Sequence, residues 1–352
     1  MQTKHTQSIV DGECESKTKT GGNEILTHRV SRCQAKSSIV LGILLMFLVG
    51  HRAFPWGAEG HQAVGELAQG LLTSTARQKV IAILGNDDLA AVAIWADEVR
   101  QAGKRHTGPL VHDPETIKFN QDFPHNDKWH FVNLPLAMPE YTDNGDFTSA
   151  EGVVHAINSC IDVLENKSTR FTRIQALRML VHFVGDVHQP LHVGTGYFSF
   201  DNKDMAHLIV DPVQARGESD DRGGNDLYYS KSGELHAYWD GQLVSKIDKT
   251  NDAHVLAAFL KNHVDTVGWQ DTGDHHQWAE KWASDSVHEA QAAYQGIKFG
   301  AATFKGVQHP KLDRIQIKLP KAYLAQQSNR ATQQLAKAGF RLAELLNNLQ
   351  WP

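Results

Sequence analysis

Two histidine–aspartate pairs lie in stretches that otherwise have the pattern of apolar helices, and this feature restricts the fold most. His182 and Asp186 occur in VHFVGDVH, and His236 and Asp240 occur in LHAYWD. Residues four apart share one face of a helix, so each pair points into one site. Burying such groups without compensation is costly, and zinc binds both imidazole nitrogen and carboxylate oxygen. The pairs therefore indicate a metal site, although a single pair is also typical of a solvated helix surface.

The composition is consistent with a globular domain that binds metal. The chain has 352 residues and 20 histidines, and eight of these lie between His106 and His192. Of its residues, 41% are hydrophobic and 21% are charged, and this composition excludes a disordered or fibrous chain. The formal net charge of −5 argues against nucleic-acid binding through a broad basic face.

The first 55 residues are predicted to be a leader. Residues 39–50 are an uninterrupted run of apolar residues and glycine, too short for a spanning helix but typical of a signal-peptide core. The polar segment before it is long for a signal peptide, so we expect initiation at Val30 and cleavage before Trp56. The protein is then secreted or periplasmic, without stable membrane insertion. Only Cys160 remains, so no internal disulfide is expected.

The rest of the chain, residues 56–352, is predicted to be one all-α domain with almost no strands. A glycine- and aspartate-rich stretch at 194–230 has no sustained period and is predicted to be a long loop. The Thr148–Glu151 segment has the pattern of a capping box that opens a helix ending near Leu164. Helices are predicted at 74–84, 88–100, 171–188, 232–245, 253–264, 278–294 and 321–350.

Six fragments in order resemble a known family. They are WGAEGH from Trp56, WADEVR from Trp95, WHFVN from Trp129, HFVGDVHQPLH, the GGN at 223–225 and LHAYWD. Together they are similar to the zinc-dependent single-strand-specific nucleases of the S1/P1 type, in a bacterial-like form, from Trp56 to the C-terminus. The resemblance implies the single, mainly helical domain of the zinc-dependent phospholipase C and single-strand nuclease type, with three zinc ions in a cleft.

The resemblance also assigns roles to individual residues. One zinc would be bound by Asp97, His130, His182 and Asp186, and a second by His192, His236 and Asp240. The third would take His61, the shared Asp186, and the amino nitrogen and carbonyl oxygen of Trp56 as a new N-terminus. Asp97, Arg100 and Asp186 would be catalytic, and Phe131, Asn133 and Asn225 would contact substrate.

This arrangement suits phosphodiester hydrolysis. Zinc ions lower the pKa of bound water and neutralise phosphate charge, so the site is positive although the chain is acidic. Arg100 can contact the phosphate, and Phe131 can stack on an unpaired base. The expected substrates are single-stranded DNA and RNA, cut to 5′-phosphorylated products, and 3′-nucleotides. No protein partner is inferred.

Simpler roles are expected for several conspicuous residues. His188, between two candidate ligands, is expected to be a hydrogen-bonded histidine behind the metal site. Trp95, Trp129 and Trp239 are expected to pack in the core, and His275 and His276 to lie in a solvated loop. Asn225 could hold a loop near the cluster or meet the substrate, and Asn133 stands where some fungal relatives have an aspartate that receives the base.

The sequence is also compatible with two other functions. A zinc-dependent phospholipase C would use a similar three-zinc cluster, but Arg100, Phe131 and Asp240 as the last ligand favour the nuclease. A non-catalytic zinc-binding envelope protein would explain the histidines but not Arg100. The interval between His192 and His236 is also longer than the family usually shows, which predicts an added loop beside the cleft.

Overall fold

The computed structural model describes residues 56–143, 145–247, 249–266, 268–306 and 311–352. The leader, its apolar run and its start at Val30 lie outside the described residues. No helix within these ranges is both long and apolar enough to cross a membrane.

Helices dominate the described chain, which confirms the mainly helical fold. Short 3-10 turns lie at Asn126–His130 and His275–Gln277. A π-helical turn lies at Tyr238–Leu243. The α-helices are α1 (Gly57–Leu71), α2 (Ser74–Leu84), α3 (Leu89–Val92), α4 (Trp95–Arg105), α5 (Pro114–Asp122), α6 (Val153–Leu164), α7 (Arg173–Val187), α8 (Pro190–Val193), α9 (Leu235–Ala237), α10 (Val244–Ile247), α11 (Ala253–His263), α12 (Trp278–Tyr294) and α13 (Tyr323–Asn348).

Helix α7 is the central element, and its sequence explains why. Thr172 and Gln175 form a capping box at its start, which satisfies amide groups that have no partner inside the helix. Most of its side chains are buried, and it packs against α1, α2, α3, α4, α6, α12 and α13. A helix that is surrounded on all sides must be apolar on all faces. His182 and Asp186 are therefore polar groups placed in the core.

The prediction of almost no strands was wrong. The described residues form β1 (Leu134–Pro135), β2 (Gly194–Thr195), β3 (Tyr197–Phe200), β4 (Ala206–Leu208), β5 (Ser219–Asp220), β6 (Leu227–Tyr228), β7 (Lys298–Lys305) and β8 (Lys311–Lys318). The predicted loop 194–230 contains five of them. In β7 and β8 most side chains are exposed or half-buried, so the alternation that identifies a strand is weak. These strands form because they pair: β8 lies between β7 and β6, and β3 lies between β4 and β5.

Two helix boundaries also differ from prediction. The helix expected from the Thr148–Glu151 capping box begins at Val153, with Gly152 as its N-cap. The Thr148 hydroxyl is used instead in the preceding turn, where it donates to the Thr142 carbonyl and accepts from Gly145 N–H. The helix predicted at 88–100 is divided into α3 and α4 around Ala93.

Candidate metal centre and groove

The first group of candidate ligands joins three distant segments. Asp97 lies in the first turn of α4, His130 ends the 3-10 turn, and His182 lies on α7. The His130 Nδ1 atom is 3.7 Å from Asp97 Oδ1 and 3.1 Å from His182 Nε2. All three side chains are buried, and they form one of the groups that could hold a metal ion.

Asp186 lies at the centre of the cluster. Its Oδ2 atom is 3.0 Å from His130 Nδ1 and 3.2 Å from His182 Nε2. Its Oδ1 atom is 3.4 Å from His61 Nε2 on α1 and 3.5 Å from His192 Nδ1 on α8. A single carboxylate therefore touches four imidazoles, a geometry suited to a ligand shared between two ions.

The neighbouring residue Gly185 makes room for this arrangement. A β-carbon at position 185 would lie 2.6 Å from His61 Nδ1. The His61 ring also stacks on the His182 ring, with centroids 3.9 Å apart. A larger residue at 185 would displace His61 from Asp186.

A second group consists of His192, His236 and Asp240. His236 Nε2 is 3.3 Å from Asp240 Oδ2, and the His192 and His236 rings are stacked with centroids 5.0 Å apart. Asp240 belongs to the π-helical turn. Such turns are rare and occur frequently at functional sites. The predicted helix 232–245 is therefore interrupted where it carries this carboxylate.

Three of the histidines are oriented by backbone carbonyls. The Nδ1 atom of His182 donates to the Ala93 carbonyl at 2.7 Å, which the break between α3 and α4 leaves accessible. His192 Nδ1 donates to the His130 carbonyl and His236 Nδ1 to the Gly223 carbonyl. Because a carbonyl only accepts, Nδ1 carries the proton and the Nε2 lone pair of each ring is available to a metal.

Trp56 reaches the same site from the start of the described chain. Its side chain is fully buried, and its indole nitrogen donates to the Gly185 carbonyl at 3.0 Å. Its backbone nitrogen lies 3.2 Å from Asp240 Oδ1, and its carbonyl accepts the first hydrogen bond of α1 from Gly60. The resemblance assigns the Trp56 main chain to the third zinc with His61 and Asp186, and here its nitrogen lies beside Asp240 of the second group.

The residues present fit a group of metal ions. We call the eight side chains His61, Asp97, His130, His182, Asp186, His192, His236 and Asp240 the central cluster. Buried atoms without a hydrogen-bond partner include both ring nitrogens of His61, Asp97 Oδ2, Asp186 Oδ1, His192 Nε2 and Asp240 Oδ2. Buried polar atoms are normally satisfied. So many exceptions in one place are explained by cations that these atoms would coordinate.

Protonation states support the same fit. Burial and the nearby Arg100 hold the pKa of His130 at about 4, and burial lowers that of His192 to about 3. Both rings are thus neutral near pH 7, the form that binds metal. Burial raises the pKa of Asp240 well above its usual value, so its ionised form needs a nearby cation.

The central cluster opens onto a groove of about 500 Å³. The sequence-predicted Arg100, Phe131, Asn133 and Asn225 all line it. Arg100 Nη2 is 2.6 Å from Asp97 Oδ1, so the guanidinium is held beside the cluster. The Asn225 side chain donates to the Arg222 carbonyl at 2.7 Å, which holds its loop in place. Asn133 Nδ2 lies 3.5 Å from Asp220 Oδ1.

Other conspicuous residues lie outside the cluster. His188 is buried, with Nδ1 donating to the Val184 carbonyl and Nε2 accepting from Arg341 at 3.1 Å. Trp95, Trp129 and Trp239 are buried among core residues, as expected. The expectation of a solvated loop for His275 and His276 was wrong, because they form a 3-10 turn in which His275 is only 9% exposed.

Several residues that position the site were missed from the sequence. Gln189 donates to Asp240 Oδ1 at 2.8 Å. Asp221 is fully buried and accepts hydrogen bonds from Thr195, Tyr294 and the amide of Gly224, and burial raises its pKa to about 7. It fixes the loop whose Gly223 carbonyl orients His236. The signal available in the sequence was an aspartate two residues before the first glycine of the GGN motif.

The groove also carries more positive charge than the sequence suggested. The cations that line it outnumber the carboxylates: Arg100, Lys104, Arg105 and Arg222 against Asp97 and Asp127. Lys104 lies one turn beyond Arg100 on α4, and Arg105 ends that helix. Arg222 comes from the segment before the GGN motif, so its position depends on how that loop folds. An acidic chain thus has a locally basic groove.

Comparison with known proteins places nearly all of the described region in one family. The family model for S1/P1 nucleases matches residues 56–350. The chain is 24% identical over 351 residues to Endonuclease 1 of Arabidopsis thaliana, covering 90% of this chain and 94% of that protein. It is 25% identical over 324 residues to Nuclease P1 of Penicillium citrinum, covering 84% of this chain and 97% of that protein.

Proposed function

The chain belongs to the S1/P1 nuclease family, and from that premise we propose that it is a zinc-dependent endonuclease for single-stranded DNA and RNA. The observation that carries the proposal is the central cluster at one side of a basic groove. Several of its buried ligand atoms have no hydrogen-bond partner and are suited to binding cations. The basic groove is suited to binding a polyanion.

We propose three zinc ions, held by the residues that the resemblance assigns. Asp97, His130, His182 and Asp186 would hold the first, and His192, His236 and Asp240 the second. His61, Asp186 and the main chain of Trp56 would hold the third. Bound zinc supplies a hydroxide near neutral pH and offsets the charge of the phosphate.

Arg100 is proposed to bind the scissile phosphate. Its side chain is 27% exposed, whereas Asp97 beneath it is fully buried. The guanidinium therefore has one edge on Asp97 and can present other N–H donors to the groove. Cleavage of the P–O3′ bond by water leaves a 5′-phosphate and a 3′-hydroxyl. The same reaction on a 3′-nucleotide releases inorganic phosphate.

Phe131 is proposed to stack on a base beside that phosphate. It follows His130 directly, lies in extended backbone and is half-buried at the groove wall. Stacking on an aromatic ring tolerates any base but requires that the base be unpaired. This favours single strands over duplexes. Asn133 and Asn225 would meet the base or sugar from the same groove.

A phospholipase C is the alternative with the most similar chemistry. A lipid substrate needs apolar surface for its acyl chains, but the groove presents Arg100, Lys104, Arg105 and Arg222 around the central cluster. Four cations suit successive phosphates of a nucleic-acid strand better than a single headgroup. The groove therefore favours the nuclease.

A parallel assay separates the three functions. Purified, zinc-loaded protein should cut single-stranded DNA and RNA, with slow or no action on phosphatidylcholine, and chelation should abolish the activity. Arg100→Ala is the matched variant: it leaves all proposed zinc ligands intact and should slow the hydrolysis. Hydrolysis of phosphatidylcholine alone would establish the phospholipase. Zinc binding without hydrolysis of any substrate would establish the non-catalytic protein.

Maturation is proposed to remove residues 1–55 and leave 56–352 as a secreted or periplasmic enzyme. A new amino group at Trp56 would lie beside Asp240, where the backbone nitrogen is already 3.2 Å from Oδ1. Mass spectrometry of the exported protein should find Trp56 at its start. A start at Phe54 would leave this nitrogen as an amide and remove it as a zinc ligand. Abundant precursor peptides from residues 5–28 would contradict initiation at Val30.

A further inference from the structure

A further group of candidate ligands lies apart from the central cluster. Glu165 follows the last residue of α6, and His275 and His276 form the 3-10 turn that leads into α12. One potential ligand atom from each lies within 4.8 Å of the others. We call Glu165, His275 and His276 the peripheral triad. None of its members lines the groove.

Two members of the triad are buried and incompletely satisfied. Glu165 is 7% exposed and His275 is 9% exposed. His275 Nε2 lies 2.9 Å from Glu165 Oε1, yet this nitrogen has no hydrogen-bond partner of acceptable geometry. Atoms bound to one tetrahedral zinc at about 2.0–2.1 Å lie roughly 3.3 Å apart. The contact is therefore close to the separation of two ligands on a shared ion.

The third member is oriented by neighbouring carboxylates. His276 Nε2 is 3.1 Å from Asp162 Oδ1, and its Nδ1 is 3.3 Å from Asp274 Oδ1. Whichever nitrogen binds a metal, the other has a carboxylate to fix the ring, the usual support of a metal-bound histidine. Lys167 is the single cation among these groups, with Nζ 2.7 Å from Glu165 Oε2. Three carboxylates around one ammonium make the position attractive to a cation.

We propose that the peripheral triad is a separate binding site for a divalent transition metal, with zinc as its natural occupant. Two imidazoles and one carboxylate are a favourable ligand set for zinc, and water completes the coordination. The inference goes beyond the nuclease function, because it requires no contact with substrate and stands if the nuclease function fails.

The position of the triad indicates what the metal would do. Glu165 Oε1 also accepts a hydrogen bond from the Gln350 amide at 2.7 Å. An ion on Glu165, His275 and His276 would thus join the end of α6, the start of α12 and the segment after α13. Such a cross-link would stabilise the fold, and Cys160, the one cysteine among the described residues, is free.

Zinc counting on matched variants tests the site. The zinc-loaded protein is dialysed to equilibrium against buffered free Zn²⁺, and its bound zinc is counted by plasma mass spectrometry. His275→Ala/His276→Ala should bind one zinc fewer than wild type and keep full nuclease activity. His254→Ala is the matched control and should keep the wild-type zinc count. His254 faces Glu66 at 3.1 Å, but it belongs to none of the groups found among the described residues.

A second pair of variants keeps the test decisive if the double variant does not fold. Glu165→Gln retains an oxygen for the Gln350 amide but weakens zinc binding, whereas Lys167→Met removes the competing cation. Zinc should bind the triad at least about tenfold more weakly in the first variant and about threefold more tightly in the second. Equal zinc content and affinity in wild type and in these folded variants would overturn the proposal and leave an ion-pair cluster.

Discussion

The central cluster and the peripheral triad contain the same types of side chain, but the fold holds them differently. The central cluster gathers side chains from distant segments of the chain, and backbone carbonyls fix three of its rings. In the peripheral triad two of the three residues are adjacent, carboxylates orient His276, and Lys167 already pairs with Glu165. Most of the unsatisfied central ligand atoms therefore have no partner other than a metal ion, whereas the triad keeps its ion pairs without one.

This contrast shows that the number of unsatisfied buried atoms, more than the types of residue, indicates how strongly a site relies on a bound metal. Within the central cluster, carboxylates and imidazoles lie buried in close contact with several atoms unpaired. Removing metal there leaves charges that the low-dielectric interior does not solvate. Near the triad, removal of metal restores contacts with exposed carboxylates and with Lys167. Metal should thus control activity and stability at the first site and only stability at the second.

The largest expected effect is at Asp186. Asp186→Asn should lose about two zinc ions and reduce kcat/KM on single-stranded DNA by more than about a hundredfold, because this carboxylate touches four histidines. Asp240→Asn should lose fewer ions, since it serves one group. Metal analysis and kinetics measure both effects. Fully active protein with one zinc or fewer would contradict the three-ion proposal.

A pH effect of intermediate size is expected at His192 in zinc-free protein. Its pKa is about 3 in the fold against an ordinary 6.5, so below pH 6.5 the unfolded chain binds a proton that the folded chain does not. Stability therefore falls as pH decreases. At pH 5 the cost is about 2 kcal/mol. His192→Gln removes this cost, so its unfolding free energy relative to wild type should rise by about 2 kcal/mol between pH 7 and pH 5. Denaturant titrations at both pH values measure it, and a pH-independent difference would count against burial of a neutral ring.

At the groove, Phe131→Ala should reduce kcat/KM on single-stranded DNA about tenfold through loss of base stacking. Bis(p-nitrophenyl) phosphate has no nucleobase, so its hydrolysis should change much less. Arg100→Ala should slow both substrates, because both present phosphate oxygens. Equal losses on the two substrates for Phe131→Ala would reduce Phe131 to a packing residue beside His130.

The smallest effect on catalysis is expected at the peripheral triad. His275→Ala should change kcat/KM on single-stranded DNA less than about twofold, because His275 lies outside the groove. The same substitution should lower the melting temperature of the zinc-loaded protein by about 2 to 4 °C for each kcal/mol of unfolding free energy that is lost. Chelated wild type and chelated variant should melt closer together. A large loss of activity in the folded variant would show that the two regions are coupled.

The sequence by itself determined which of the candidate ligands share a helix face. Spacing of four places two side chains on one helix face, so His182 with Asp186 and His236 with Asp240 were recognisable as pairs. The ordered fragments from Trp56 to Asp240 then indicated the family, which the comparison confirmed. The mainly helical fold was also predictable, because helical periodicity is a local property of the sequence.

Only the tertiary structure decided which distant groups meet and which are buried. Contact of His61 with Asp186, the break that presents the Ala93 carbonyl, and the burial of His275 all depend on packing between segments far apart in sequence. The strands β7 and β8 likewise depend on pairing with each other, since neither has a strong pattern of its own. Local periodicity determines which residues share a face, whereas burial and long-range contacts are set by the energy of the whole packed core.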